Sequence, residues 1–141
     1  MAGWNHGTIS GVTSPDAEKI TINMNVVDLG KVDLLVSEGF YSNRTDFIRT
    51  AIRNQLDRHD EVVSSSVRRR QMAVGVLYFN QRDLEAARAA GTKMNISIAG
   101  LFSLARDVTP ELASEVIESI RVMGVFRASP AVKDALADRV R

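Results

Sequence analysis

Between Lys19 and Asn25 polar and apolar side chains alternate. Lys19, Thr21 and Asn23 fall on one face, Ile20, Ile22 and Met24 on the other. A period of two is the mark of a half-buried strand. The period then changes. Leu29, Val32, Leu35 and Val36 recur at helical spacing, and Gly39 stands where a helix would stop. A second helix is expected from Asn43, a good N-cap, with Asp46 placed to return the bond in capping-box fashion. Phe47, Ile48, Ala51, Ile52 and Leu56 form its apolar stripe. One strand and two helices cannot bury a core, and a lone strand leaves its ladder groups unpaired. A second copy of the chain meets both needs. Two strands pair antiparallel across a two-fold axis, and four helices close beneath them.

Such a ribbon has Ile20, Ile22 and Met24 in the shared core and Lys19, Thr21 and Asn23 toward solvent. A two-stranded ribbon fits the major groove of double-stranded DNA, where long polar side chains meet base edges. The start of the second helix, at Asn43, Arg44 and Thr45, offers free N–H groups and a positive dipole end to a phosphate. The series Ile20-Thr21-Ile22, Gly39, and Asn43-Arg44-Thr45-Asp46-Phe47-Ile48-Arg49-x-Ala51-Ile52 resembles the ribbon-helix-helix DNA-binding domain of the Arc, MetJ and CopG class. The resemblance spans about residues 18–60 and implies a homodimer. It implies base contact by Lys19, Thr21 and Asn23 and phosphate contact by Asn43, Arg44 and Thr45. Asn43 stands where Ser or Thr is more usual in the family.

Charge sets a limit on this reading. The net charge is only +1, and residues 1–60 hold six Lys and Arg against eight Asp and Glu. A basic surface must therefore be local, built from Lys19, Arg44, Arg49 and Arg53 and doubled by dimerisation. Arg49 and Arg53 also fit an ordinary solvated helix face paired with Asp46 and Asp57. Cysteine is absent, which excludes disulfides, thiolate metal sites and cysteine nucleophiles. The two histidines, His6 and His59, are far apart and lack a carboxylate cluster at ligand spacing, against a nickel-sensing member of the family. No cofactor is expected. No apolar run is long enough for a membrane span, and the N-terminus lacks secretory-signal features, so a cytoplasmic, nucleoid-associated protein is expected.

Residues 1–17 read as a flexible arm containing Trp4 and His6. Residues 61–71 read as a linker. Ser64-Ser65-Ser66 favours a break there, although Val63 and Val67 continue the spacing of the preceding helix. Arg68, Arg69 and Arg70 are the densest positive charge in the chain, fit for a solvated linker or for an additional phosphate contact.

Residues 72–141 read as a second folded unit, which makes the chain α+β. Ala73-Val74-Gly75-Val76-Leu77, Ile98-Ala99-Gly100-Leu101-Phe102 and Val122-Met123-Gly124-Val125-Phe126 are alike, with central glycines 25 and 24 residues apart. Each stretch is strand-like and precedes a helix signal: Gln81–Ala90, Thr109-Pro110 and Ser129-Pro130. About three βα repeats are expected, as a leucine-rich-like solenoid or a compact α/β sandwich. Three glycines at one repeat position fit a place where backbones approach closely. Val76, Phe79, Phe102 and Phe126 read as core. Asp83, Glu85, Glu111, Glu115 and Glu118 sit at helix starts or helix-face spacing. No nucleophile–base pair or phosphate-cradling loop is present, so no enzyme is expected.

The expected function is a sequence-specific DNA-binding protein, most simply a transcriptional repressor. Two alternatives stand beside it. One is an accessory protein that coats or bridges DNA in plasmid partition or conjugation, assembled through residues 72–141. The other is the antitoxin of a toxin–antitoxin pair. A small-molecule effector is not identifiable from the residues.

Overall fold

A computed structural model of the chain describes residues 16–141. Trp4 and His6, and with them most of the expected arm, lie outside the described residues. Two compact units are present: Lys19–Ser66, and residues 16–18 together with Val67–Arg141.

The first unit contains α1 (Val26–Ser37), α2 (Arg44–Arg58) and most of α3 (Asp60–Arg69). Asn25 caps α1, its side-chain oxygen accepting from the N–H groups of Val27 at 2.8 Å and Asp28 at 3.3 Å. The helix ends as expected at Gly39. With φ +89° there, the Gly39 N–H donates to the Val36 carbonyl and the Phe40 N–H to the Leu35 carbonyl, a Schellman closure that glycine adopts without a Cβ penalty. Residues 19–25 form no strand ladder within the single chain. An alternating strand needs a neighbour, and this unit holds no other strand.

The serine run does not break the chain. α3 continues through Ser64-Ser65-Ser66, and the interruption falls instead at His59. Serine costs a helix only a few tenths of a kcal/mol per residue. Asp60 and Glu61 in the first turn and Arg68 and Arg69 in the last complement the helix dipole. Gln71, at φ +55°, closes α3 with the same two-bond pattern as Gly39.

The second unit contains β1 (Ala73–Phe79), α4 (Gln81–Ala89), β2 (Met94–Leu104), α5 (Pro110–Val116), β3 (Ile117–Arg127), α6 (Pro130–Ala135) and a 3-10 turn, Ala137–Arg139. The strands form one parallel sheet in the order β1-β2-β3. Helix starts fall where the sequence places them. Thr109 and Ser129 accept from the N–H groups of Leu112 and Val132, each followed by proline, and Asn80 and Asp83 form a reciprocal capping box. Two strands run longer than their apolar centres suggest. Glu118, expected on a helix face, lies in β3 because α5 ends at Val116.

Strand alternation sorts the side chains onto two faces. Ile96, Ile98, Phe102, Leu104, Ile117 and Ile120 point to a buried core completed by Leu84, Leu112, Ala113, Val116, Val132 and Leu136 from the helical layer. Phe102 stacks on Phe126 at 5.2 Å and meets Phe79 edge-on at 6.3 Å. No helix of the described residues covers the opposite face. Val74, Val76, Tyr78 and Met123 are exposed there. Val76 is therefore not a core residue, because strand alternation sends it away from the helical layer. Residues 16–18 line a groove of about 310 Å³ over this face, where an Arg127 nitrogen donates to the Ala17 carbonyl at 2.7 Å and the Glu18 carboxylate at 2.8 Å.

The three glycines align in one row: Gly75 opposite Gly100, and Gly100 opposite Gly124. All three have positive φ, between 124° and 145°. A Cβ on Gly100 would overlap the Gly75 carbonyl oxygen, and one on Gly124 would overlap that of Gly100.

Candidate nucleic-acid interface

In the first unit the start of α2 is held from three sides. The Asn43 side-chain oxygen accepts from the Asp46 N–H at 2.8 Å. Asp46 does not return the bond to Asn43, as a capping box requires. Its carboxylate accepts instead from the Ser42 N–H at 2.9 Å, one residue earlier, because the extended Asn43 backbone brings that N–H within reach. The Tyr41 ring meets Phe47 edge-on at 5.0 Å and fixes the entry of the chain into the helix. Arg44 and Thr45 occupy the first two helical positions, where N–H groups have no acceptor inside a helix.

Arg44 has a partner that local spacing does not reveal. Its Nε and one terminal nitrogen donate to the two carboxylate oxygens of Asp33 on α1, both at 2.8 Å. Asp33 lies eleven residues earlier, beyond a turn, so no helix or strand period links the two. The hydrogen-bonded guanidinium holds the Asp33 carboxyl below its ordinary pKa, and the carboxylate raises that of Arg44. The pair uses two of five guanidinium N–H donors and fixes the plane of the group. A depressed carboxyl contributes stability above its ordinary pKa and loses it as pH falls through the depressed value. The contribution of this pair is thus complete at neutral pH and is lost progressively as the pH falls below about 4. Part of the acid-induced drop in the melting temperature of wild type should be missing in Asp33→Asn. A pH series of melts on both proteins checks this, and identical acid limbs would discount the pair.

Lys19, Thr21 and Asn23 are all exposed. So are Ile20 (72%) and Ile22 (58%), the residues of the alternate face, while Met24 is half-buried. Arg49 and Arg53 are exposed on α2 and form no ion pair among the described residues; neither Asp46 nor Asp57 engages them. Arg68 and Arg69 end α3, and Arg70 follows in the turn, all three exposed. His59 closes α2 with its ring Nδ1 at 2.9 Å from the Gln55 carbonyl. No group of three or more His, Asp and Glu side chains fit to hold a metal ion occurs among the described residues, and no helix among them is long and apolar enough to cross a membrane.

Neither a curated protein nor a solved structure matches the chain. A profile of the ribbon-helix-helix transcriptional regulator family matches residues 15–133. The match runs well beyond the segment that carries the motif and takes in most of the βα unit, so both units are part of the family pattern. With most of its length matched, the chain belongs to the ribbon-helix-helix transcriptional regulator family.

Proposed function

We propose that the protein is a sequence-specific double-stranded DNA-binding repressor that works as a homodimer through residues 18–60. The observation that carries this reading is the apolar surface of the first unit. Val32 is its one buried residue. Ile20, Ile22, Leu34, Phe40, Ile52 and Leu56 are all exposed in the single chain. Monomeric soluble proteins rarely leave so much apolar surface together, and pairing two copies through a ribbon would cover it. Lys19, Thr21 and Asn23 then stand on the ribbon's outer face toward the major groove. Asn43, Arg44 and Thr45 meet the phosphates beside it. Arg44 keeps three N–H donors for this while Asp33 holds its plane. Arg68, Arg69 and Arg70 would add phosphate contacts outside the central site. Such a protein works in the cytoplasm, on the nucleoid.

Two substitutions separate reading from anchoring. Asn23→Ala should cost about 1–3 kcal/mol on the preferred duplex and little on random DNA, because asparagine pairs bidentately with adenine. Arg44→Ala should weaken both duplexes alike and flatten the salt dependence, because phosphate contacts position without specifying. Titrations of each variant against both duplexes at several salt concentrations make the comparison. Equal losses on both duplexes for Asn23→Ala would remove it from the reading face.

DNA coating or bridging, as in plasmid partition or conjugation, is the second reading. The edge strand β1, which carries neither proline nor charge, favours it, since coating demands more than a dimer. An antitoxin role fits less well, because toxin-binding segments are usually short and fold on the partner, whereas this unit has a buried core.

A further inference from the structure

The chain crosses between its two compact units twice, at Glu18–Lys19 and at Ser66–Val67. Residues 16–18 belong to the unit of the sheet, although the whole first unit lies between them and the sheet in sequence. Arg127 holds them there. It is the last residue of β3, and its backbone is paired with Ser103 of β2. Phe126 before it packs against the core, so strand alternation turns Arg127 to the face away from the helices. One of its terminal nitrogens donates to the Ala17 carbonyl at 2.7 Å and to the Glu18 carboxylate at 2.8 Å. A main-chain and a side-chain acceptor on consecutive residues are thus gripped from a paired strand.

Lys19 comes next in the chain and opens the run of Lys19, Thr21 and Asn23. We infer that Arg127 is a positioning residue for DNA reading: by gripping Ala17 and Glu18 it fixes the start of the ribbon strand and so the place of Lys19. The role rests on the proposed base contacts of that strand.

The end of a strand frays unless something ties it down. A loose start has to be ordered as DNA binds, and fixing each backbone residue is unfavourable. With the clamp already made, the start is ordered before the DNA arrives, and less is lost on binding. The effect falls on the preferred site, where Lys19 must meet a base edge at a set distance. Random DNA, held through its phosphates, does not need Lys19 in one place. The pair is partly exposed, at 35% for Arg127 and 54% for Glu18, so each clamp is worth at most about a fivefold change in an equilibrium constant. A dimer has two clamps, for at most about 25-fold.

The test titrates the full chain with two duplexes at one fixed salt concentration: one selected from a random-sequence pool by wild type, and one of random sequence. The readout is the ratio of the two affinities. A partly unfolded sample or a lost phosphate contact lowers both affinities alike and leaves that ratio in place. In Arg127→Ala the ratio should fall by about five- to 25-fold. In Glu18→Ala it should fall by less, because the bond to the Ala17 carbonyl remains. Removing a carboxylate beside Lys19 would, by charge alone, tighten both duplexes together, so a lower ratio there is the signature of the clamp. Arg127→Lys keeps a donor for the same acceptors and should recover part of the ratio. The double variant should match Arg127→Ala, because the two residues act through one contact. An unchanged ratio in Arg127→Ala, or equal losses on both duplexes as a direct phosphate contact would give, overturns the positioning role and leaves the DNA reading standing. So does a double variant whose ratio falls clearly below that of Arg127→Ala, since the two residues would then act separately. A wild type that prefers no duplex overturns the DNA reading and this role with it.

Discussion

Replacing Ile22 with lysine is expected to abolish dimerisation and DNA binding together, while the second unit stays folded. In the single chain Ile22 is 58% exposed, and the substitution would look harmless there. In a paired ribbon the same position lies in the shared core beside Ile20 and Met24. An ammonium group in that place has no carboxylate within the ribbon to pair with. Leaving a buried charge unpaired costs about 3–5 kcal/mol, and a two-fold dimer contains two such positions. Few dimers of small domains withstand that loss, since total stability is only about 5–15 kcal/mol. The second unit has its own core around Phe102, Leu84 and Ile120, so its melting transition should persist. Sedimentation equilibrium for mass, a duplex titration for binding and calorimetry for the surviving transition are the measurements. Lys19→Ala, on the opposite face of the same strand, serves as the control and should remain a dimer. If Ile22→Lys dimerises and binds DNA like wild type, the ribbon is not the dimer contact.

Local signals in the sequence located most elements. Asn43, Thr109 and Ser129 each mark a helix start, and all three cap the helix that follows. Gly39 marks a helix end because its left-handed backbone suits glycine. These signals act within three or four residues, so the chain states them openly. The spacing of the three central glycines was legible too, and the strands pair with those glycines in register. Less legible were features decided by distant partners. Asp33 and Arg44 meet across a turn. Asp46 passes over Asn43 for the Ser42 N–H, a choice made by the backbone angle at Asn43. The serine run of α3 reads as a break on propensity alone, and the charges at the two ends of the helix offset it. Val76 resembled a core residue because an apolar strand does not announce which of its faces the helices will cover. The reach of the family past residue 60 had no short motif to carry it.

The row of glycines permits a sharper test of why glycine stands there. Two demands coincide at Gly100: a backbone at φ +145°, and a carbonyl of the neighbouring strand in the space of a Cβ. Among the described residues Gly75 makes the first demand alone, since none of them lies within 4 Å of its absent side chain. Alanine at Gly75 should therefore cost only the backbone strain, of order 1–3 kcal/mol for a conformation that is nearly glycine's alone. Alanine at Gly100 bears the same strain and also drives a methyl into the Gly75 carbonyl. That carbonyl belongs to a paired strand and cannot swing aside as a flexible side chain would. Overpacking against fixed neighbours adds about 1–3 kcal/mol more, for a total of about 2–6 kcal/mol. A loss of that size is enough to unfold a small sheet of three strands or to separate β1 from it. Gly124→Ala should behave like Gly100→Ala, because it meets the Gly100 carbonyl in the same way. Urea unfolding of the three variants, at a concentration low enough to keep copies apart, gives the ranking directly. The expected order places Gly75→Ala nearest wild type and the other two well below it. If Gly100→Ala is no less stable than Gly75→Ala, backbone angle alone selects these glycines, and the close approach of the strands is not what requires them.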